Sequence, residues 1–184
     1  PVRHSTLRST PDAALLEVCS ACAPHNFVAI ATPVNAADIR LLNHLIHVLP
    51  VGSGFLAVGP IAKRATGRIV GVVDDIDHFE PVLRAARHMF QVSEEERYTI
   101  LMAAESDAEA EMMYQHIRLA LGSDEIVEFV RARVLPDAPG MIAELLRRLD
   151  GGFIVSHVGG LIIPSDGDLT DLLAALQCPL LIIR

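Results

Sequence analysis

The sequence contains no tryptophan and few aromatic residues, which restricts what its core can be made of. Aromatic side chains account for 4% of the 184 residues, whereas hydrophobic residues of all kinds account for 51%. The core must therefore be built mainly from Val, Ile, Leu and Ala, the usual filling of a parallel sheet covered by helices. The length is sufficient for one substantial core, or for one full unit with a fragment of another.

Positive charge is also scarce. Lys and Arg together number 15 against 23 Asp and Glu, which gives a formal net charge of −8. No basic cluster forms a stripe along the chain. Because nucleic-acid-binding surfaces are basic, the sequence argues against nucleic acid as a partner.

The chain has only three cysteines, too few for a disulfide scaffold, so we expect a cytoplasmic protein. Cys19 and Cys22 form a C-x-x-C motif, but they share the predicted buried face of a helix with Leu15 and Val18. No second C-x-x-C is present to complete a zinc site. We therefore interpret these cysteines as small core residues and predict no metal.

Long apolar runs are missing as well. Residues 45–62 are nearly free of charge but are interrupted by glycine and proline, whereas a membrane helix needs about 20 continuous residues. The first five residues lead into no apolar segment, so no signal peptide is predicted. The chain begins in mid-pattern with Arg3 and Arg8, so we expect a preceding segment in the same gene, such as the membrane part of a transporter or sensor.

Alternating strand and helix patterns run through the chain. Apolar runs predict strands at 27–32, 55–58, 68–73, 98–103, 125–134, 153–158 and 179–183. The strand at 125–134 carries Glu128, Arg131 and Arg133, charges that are expected at a sheet edge. Helical periodicity or capping residues predict helices at 10–23, after Asn35, at 79–90, 106–121, 138–149 and 168–177. Ser106 and Glu109 form the capping box that starts the helix at 106–121. This order predicts an α/β fold with a parallel, doubly wound five-stranded sheet in residues 67–184.

Residues 1–66 repeat the pattern of the chain's last third. In both regions an amphipathic stretch, an apolar run and a leucine-rich helix lead to a closing apolar run. We interpret residues 1–66 as the C-terminal part of a first, abbreviated unit and residues 67–184 as a complete one. The closing runs contain the residues that we expect at a dimer edge: Phe55, Leu56 and Val58, and Pro179, Leu180, Leu181, Ile182 and Ile183. An apolar sheet edge needs a neighbour, either the other run of the same chain or a second copy.

Four segments of residues 67–184 resemble the universal stress protein family. They are IVGVVD (69–74), EFVRARV (128–134), IVSHVG (154–159) and CPLLIIR (178–184). The small residue and proline before the last strand are typical of the family's ending. The resemblance implies a five-stranded parallel sheet and a regulatory, non-catalytic module that pairs as a homodimer or an internal pseudo-dimer. It also fits the cytoplasmic domain of a larger transporter or sensor.

Some members of that family bind ATP between the first and fourth strands. The resemblance therefore implies an adenine nucleotide site, with Asp74 and Gly159 at matching positions. Their neighbours complete the candidate set: Asp75, Ser156, His157 and Gly160. This chain departs from the family's Gly-x-x-Gly-x9-Gly-Ser/Thr loop, since Gly159 and Gly160 are adjacent and Gly167 is followed by Asp168. Negative charge near a phosphate opposes binding, so nucleotide binding is the alternative hypothesis.

Each candidate site has a structural alternative. Asp74, Asp75 and Asp77 either form a ligand or Mg²⁺ site, or Asp77 caps the next helix. His157 is either a pH-sensitive group in the cleft or a loop histidine bound to backbone.

His44 and His47 could share a metal, but without a third ligand we expect a solvated helix face. The chain also lacks a nucleophile elbow, a Walker lysine and H-E-x-x-H. We therefore expect no enzyme.

Overall fold

The computed structural model describes residues 27–30, 46, 48–59, 67–121, 126–135, 139–163 and 169–184. Several predictions lie outside these residues: the helix at 10–23 and the metal alternatives at Cys19, Cys22, His44 and His47. The glycine and the acidic residues at 166–168 also lie outside them.

Strands and helices alternate along the described chain. The strands are β1 Phe27–Ile30, β2 Gly54–Ala57, β3 Arg68–Val73, β4 Tyr98–Ala104, β5 Val127–Arg133, β6 Gly151–His157 and β7 Leu180–Ile183. The helices are α1 Phe79–Gln91, α2 Asp107–Leu121, α3 Pro139–Arg148 and α4 Thr170–Ala175, with a 3-10 turn at Ile76–His78. The predicted elements of this part are therefore confirmed, with bounds that differ by a few residues.

One mixed sheet runs through the molecule, in the order β1-β2-β7-β6-β3-β4-β5. All neighbours from β7 to β5 pair in parallel, which confirms the predicted parallel, doubly wound five-stranded sheet. β1 pairs with β2 in parallel, and β2 pairs with β7 in antiparallel orientation. β3 and β6 are neighbours, so the direction of winding reverses between them.

The two faces of the sheet carry separate apolar clusters. Strand β4 shows the alternation, because Ile100 and Met102 pack with α1 and α2, whereas Leu101 and Ala103 pack with α3 and α4. Close contact of α1 depends on Gly71 of β3, where an added Cβ would lie 3.2 Å from Ala86 Cβ and 3.3 Å from Val82 Cγ1. This double coverage explains why the strands are apolar on both faces.

The closing strand β7 is not at the edge of the sheet. It lies between β6 and β2, and its pairing with β2 places Phe55 opposite Ile182 and Leu56 opposite Leu181. Of the expected edge residues, Val58 and Pro179 lie just outside the two strands. The chain therefore pairs its two closing runs internally, the first of the two arrangements considered from sequence.

Strand β5 does lie at an edge, as its charged residues predict. Arg68 of β3 contacts Glu128 at 2.5 Å, and Arg131 pairs with Glu111 of α2. Arg133 donates to the carbonyl of Glu105. Charged side chains of this kind disfavour pairing with another sheet.

The strands on either side of the β2–β7 boundary are arranged alike. Gly54 of β2 lies opposite Phe27 of β1, and Leu180 of β7 lies opposite Ile154 of β6, so the crossovers span 27 and 26 residues. The boundary itself pairs residues 54–57 with residues 183–180 in antiparallel register. The four strands β1-β2-β7-β6 thus have the register that a local two-fold axis between β2 and β7 would produce.

Candidate functional site

A cleft lies at the carboxyl ends of the central strands, where the winding direction reverses. Asp74 directly follows β3, and Gly159 and Gly160 follow β6. The cleft has a volume of about 430 Å³. Its lining residues are Asp74, Asp75, Ile76, Glu105, Glu109, Met112, Met113, Gly159, Gly160 and Leu161. Crevices at this position are the usual ligand sites of open α/β sheets.

The carboxylate of Asp74 is buried against the loop that follows β6. Asp74 is 8% exposed, and its Oδ2 accepts a hydrogen bond of 2.6 Å from the backbone N–H of Ile162. A Cβ on Gly160 would lie 2.1 Å from Asp74 Oδ1, so only glycine permits this close approach. Burial raises the pKa of Asp74 to about 6, although the hydrogen bond from Ile162 acts in the opposite direction.

The loop at residues 159–163 is also closed on itself. The N–H of Gly159 donates to the carbonyl of Ile163 at 2.7 Å, and Gly159 has a φ of 95°. Positive φ values are readily adopted by glycine, which explains its place at the start of this turn. Two loop amides, those of Gly159 and Ile162, thus already have acceptors within the protein.

Two histidines stack beside Asp74. The ring centroids of His78 and His157 are 3.9 Å apart and the rings are nearly parallel, at 12°. His157 Nδ1 lies 2.5 Å from the carbonyl oxygen of Val158, which satisfies the backbone alternative predicted for this residue. Burial, and secondarily the proximity of His78, lower the pKa of His157. His78 Nδ1 lies 3.4 Å from Asp75 Oδ2, but it is buried without a hydrogen-bond partner.

The predicted helix cap at Asp77 is wrong. Asp75 caps the 3-10 turn instead, since its Oδ1 accepts a hydrogen bond of 2.9 Å from the N–H of Asp77. Helix α1 then begins after His78, which makes no side-chain capping bond. The insertion of a short turn between β3 and α1 moved the cap two residues upstream. The predicted cap of α2 is confirmed by the 3.2 Å bond from Glu109 N to Ser106 Oγ.

The lining of the cleft is acidic. Four of its ten residues are carboxylates, Asp74, Asp75, Glu105 and Glu109, and none is Lys or Arg. Such a lining repels phosphate groups. Within the described residues, no cluster of three or more His, Cys, Asp or Glu side chains could hold a metal ion.

Four of the six residues proposed from sequence come together at the cleft: Asp74, Asp75, Gly159 and Gly160. His157 lies next to it through its stack on His78. Ser156 is fully buried on the face of β6 that also carries Ile154, and its hydroxyl has no hydrogen-bond partner. It is therefore not placed to bind a ligand in the cleft.

Sequence reasoning missed His78, Glu105 and Glu109. Glu105 directly follows β4, whose carboxyl end opens onto the same edge of the sheet as that of β3. The position of Glu105 at the end of a predicted strand could therefore have indicated that it lies at the cleft. The stacking of His78 on His157 depends on the 3-10 turn, which the sequence pattern did not indicate.

Within the residues that the structure describes, no helix has both the length and the apolar character needed to cross a membrane. The buried thiol of Cys178 is free, and burial raises its pKa to about 11.

Comparison with known proteins finds likeness in structure only. No family model and no curated protein matches the sequence. A Pseudomonas aeruginosa UCBPP-PA14 protein, described provisionally as a universal stress protein, aligns with a TM-score of 0.62 and 14% identity, covering 96% of this chain and 69% of that one. The functionally unknown protein PA1789 of Pseudomonas aeruginosa PAO1 aligns with a TM-score of 0.59 and 13% identity, covering 96% of this chain and 68% of that one. At these identities the likeness shows a common fold.

Proposed function

We propose that this chain, which has the universal stress protein fold, is a non-catalytic regulatory module of the stress-response type. The fold supports the assignment to this class of module. The lining of the cleft argues against the binding of a phosphate-containing ligand. The described lining contains carboxylates and no lysine or arginine that could neutralise a phosphate.

One observation carries the proposal: the Asp74 carboxylate packs against the loop that follows β6 and binds one of its backbone amides. It contacts Gly160 and accepts the hydrogen bond from Ile162 N. In a phosphate site, loop amides must point at the ligand. Here a protein carboxylate holds one of those amides, and a phosphate would have to displace it against charge repulsion.

We further propose that residues 1–66 are the abbreviated first copy of the same unit, forming an internal pseudo-dimer with residues 67–184. The matching register of the β1–β2 and β6–β7 pairs supports this organisation. The structural comparison also supports it. Residues 67–184 are less than two thirds of the chain, but each of the two solved structures aligns with 96% of it, so both alignments extend into residues 1–66. A homodimer through the closing strands would compete with β2 for the same edge of β7.

A nucleotide titration tests the proposed function. We expect ATP with Mg²⁺ at about 1 mM to leave the melting temperature unchanged, because the acidic lining of the cleft repels the phosphates. A protein that bound ATP with a Kd a hundredfold below this concentration would instead gain about 2.7 kcal/mol of stability. The measurement is differential scanning fluorimetry, repeated with ADP and a cyclic dinucleotide.

The control for this titration is Asp74→Ala. A shift in the wild type that disappears in Asp74→Ala would overturn the proposal in favour of a nucleotide-binding sensor. A shift in the variant alone would support it, since the carboxylate would then be the group that excludes the phosphate.

A cytoplasmic location belongs to the same proposal and is supported by the buried free thiol of Cys178. We also propose that the regulated target is a transporter or sensor, in the same gene or a separate one. Sequencing of the complete gene, and co-purification with its neighbours, test this assignment.

A further inference from the structure

Two sets of polar side chains, which we call the Asp74 arm and the histidine arm, lie at the base of the loop at residues 159–163. One is the Asp74 carboxylate, which contacts Gly160 and Ile162. The other is the stacked pair of His78 and His157, one ring from the turn after β3 and one from the end of β6. Gly159 connects them, because a Cβ there would lie 3.9 Å from His78 Cε1.

We propose that Asp74 and the stacked histidines form a pH-sensitive latch that holds the loop at residues 159–163 closed over the cleft. The latch would give the proposed regulatory module an input, so its meaning rests on that proposal. Its physical test is independent of nucleotide binding.

The charged groups around the latch come from four described elements. The turn after β3 contributes Asp75 and His78, and β6 contributes His157. Glu105 after β4 and Glu109 of α2 line the same cleft. Among these groups the two histidines are the only side chains that can carry a positive charge.

The Asp74 arm favours the closed loop at low pH. In the closed loop the pKa of Asp74 is raised from 3.8 to about 6, chiefly by burial, whereas in an open, solvated loop it returns towards its ordinary value. The closed state therefore binds the proton more tightly. The resulting stabilisation of the closed loop relative to the open loop is complete below pH 4 and is lost as the pH rises through 6.

The histidine arm acts in the opposite sense. Burial and His78 lower the pKa of His157 in the closed loop, so the proton prefers the open state. Acid therefore weakens the stack while it strengthens the contact of Asp74 with the loop. The closed loop is most stable when Asp74 carries a proton and the imidazole of His157 is neutral.

Amide hydrogen exchange tests the latch. Protection factors at Ile162 and Gly159, corrected for intrinsic exchange, are compared at pH 5 and pH 7 in the wild type and in Asp74→Asn. The asparagine retains an acceptor for Ile162 but does not titrate. We expect the ratio of the wild-type protection factor to that of the variant at Ile162 to fall about tenfold from pH 5 to pH 7. This value follows from a pKa of about 6 for Asp74 in the closed loop and 3.8 in the open one.

Ile100, in the middle of β4, is the reference amide for global opening. A constant ratio at Ile162, or an equal fall at Ile100, would overturn the latch. The variant His157→Phe keeps a flat ring against His78 without a titrating nitrogen. We expect its loop protection to exceed that of the wild type at pH 5 and to match it at pH 7; equal protection at both pH values would remove the histidine arm.

Discussion

Replacing Phe55 by alanine is expected to lower the free energy of unfolding by about 3–5 kcal/mol. Phe55 lies on β2, is completely buried, and faces Ile182 across the antiparallel pair. It belongs to one apolar cluster together with residues of α3 and α4. Truncation would leave a cavity in the core of the larger unit, although the residue belongs to the first segment of the chain. Urea unfolding measures the loss.

The matched control is Val51→Ala in the same segment. Val51 is 77% exposed, so its truncation should change the unfolding free energy by less than about 0.5 kcal/mol. A single cooperative transition is expected for both variants. If Phe55→Ala changed stability no more than Val51→Ala does, the first segment would not share the core of the second.

Replacing Asp74 by asparagine is expected to stabilise the protein at neutral pH, by up to about 3 kcal/mol. The native pKa of Asp74 is raised from 3.8 to about 6 because the carboxylate is buried. A group with a raised native pKa stabilises the fold below its unfolded pKa, and this stabilisation is lost as the pH rises through the native value. At pH 7 the wild type therefore buries a carboxylate charge that the variant lacks.

The stability difference between Asp74→Asn and the wild type should grow from pH 4 to pH 6 and level off above pH 7. Glu109→Gln is the matched control, because it removes an exposed carboxylate from the same cleft. Urea unfolding from pH 4 to pH 8 gives the comparison. A variant less stable than the wild type at pH 7 would show that the ionised carboxylate is needed for stability.

The doubly wound unit could be predicted from sequence because local signals agreed along it. The apolar run at 68–73, the periodic helix that follows and the capping serine at position 106 each determine one local element, and all three are confirmed. Parallel order then follows from alternation of strands and helices. The charged residues of β5 indicated an edge, and the strand lies at one.

The position of β7 could not be decided from its own residues. An apolar closing run is compatible with pairing inside the chain or between two chains, and only the three-dimensional arrangement places β2 beside it. The latch was missed for a similar reason. His78 and His157 are distant in sequence, and their contact depends on a 3-10 turn that inserts between β3 and α1.

Disulfide trapping between residues 56 and 181 tests the pairing of the two closing strands most directly. Leu56 and Leu181 lie opposite each other in the antiparallel register. After the native cysteines are replaced, the double variant Leu56→Cys, Leu181→Cys should oxidise to a monomer with an internal disulfide, identified by peptide mass spectrometry. A covalent dimer, or two free thiols under the same conditions, would contradict an intramolecular sheet that joins the two segments.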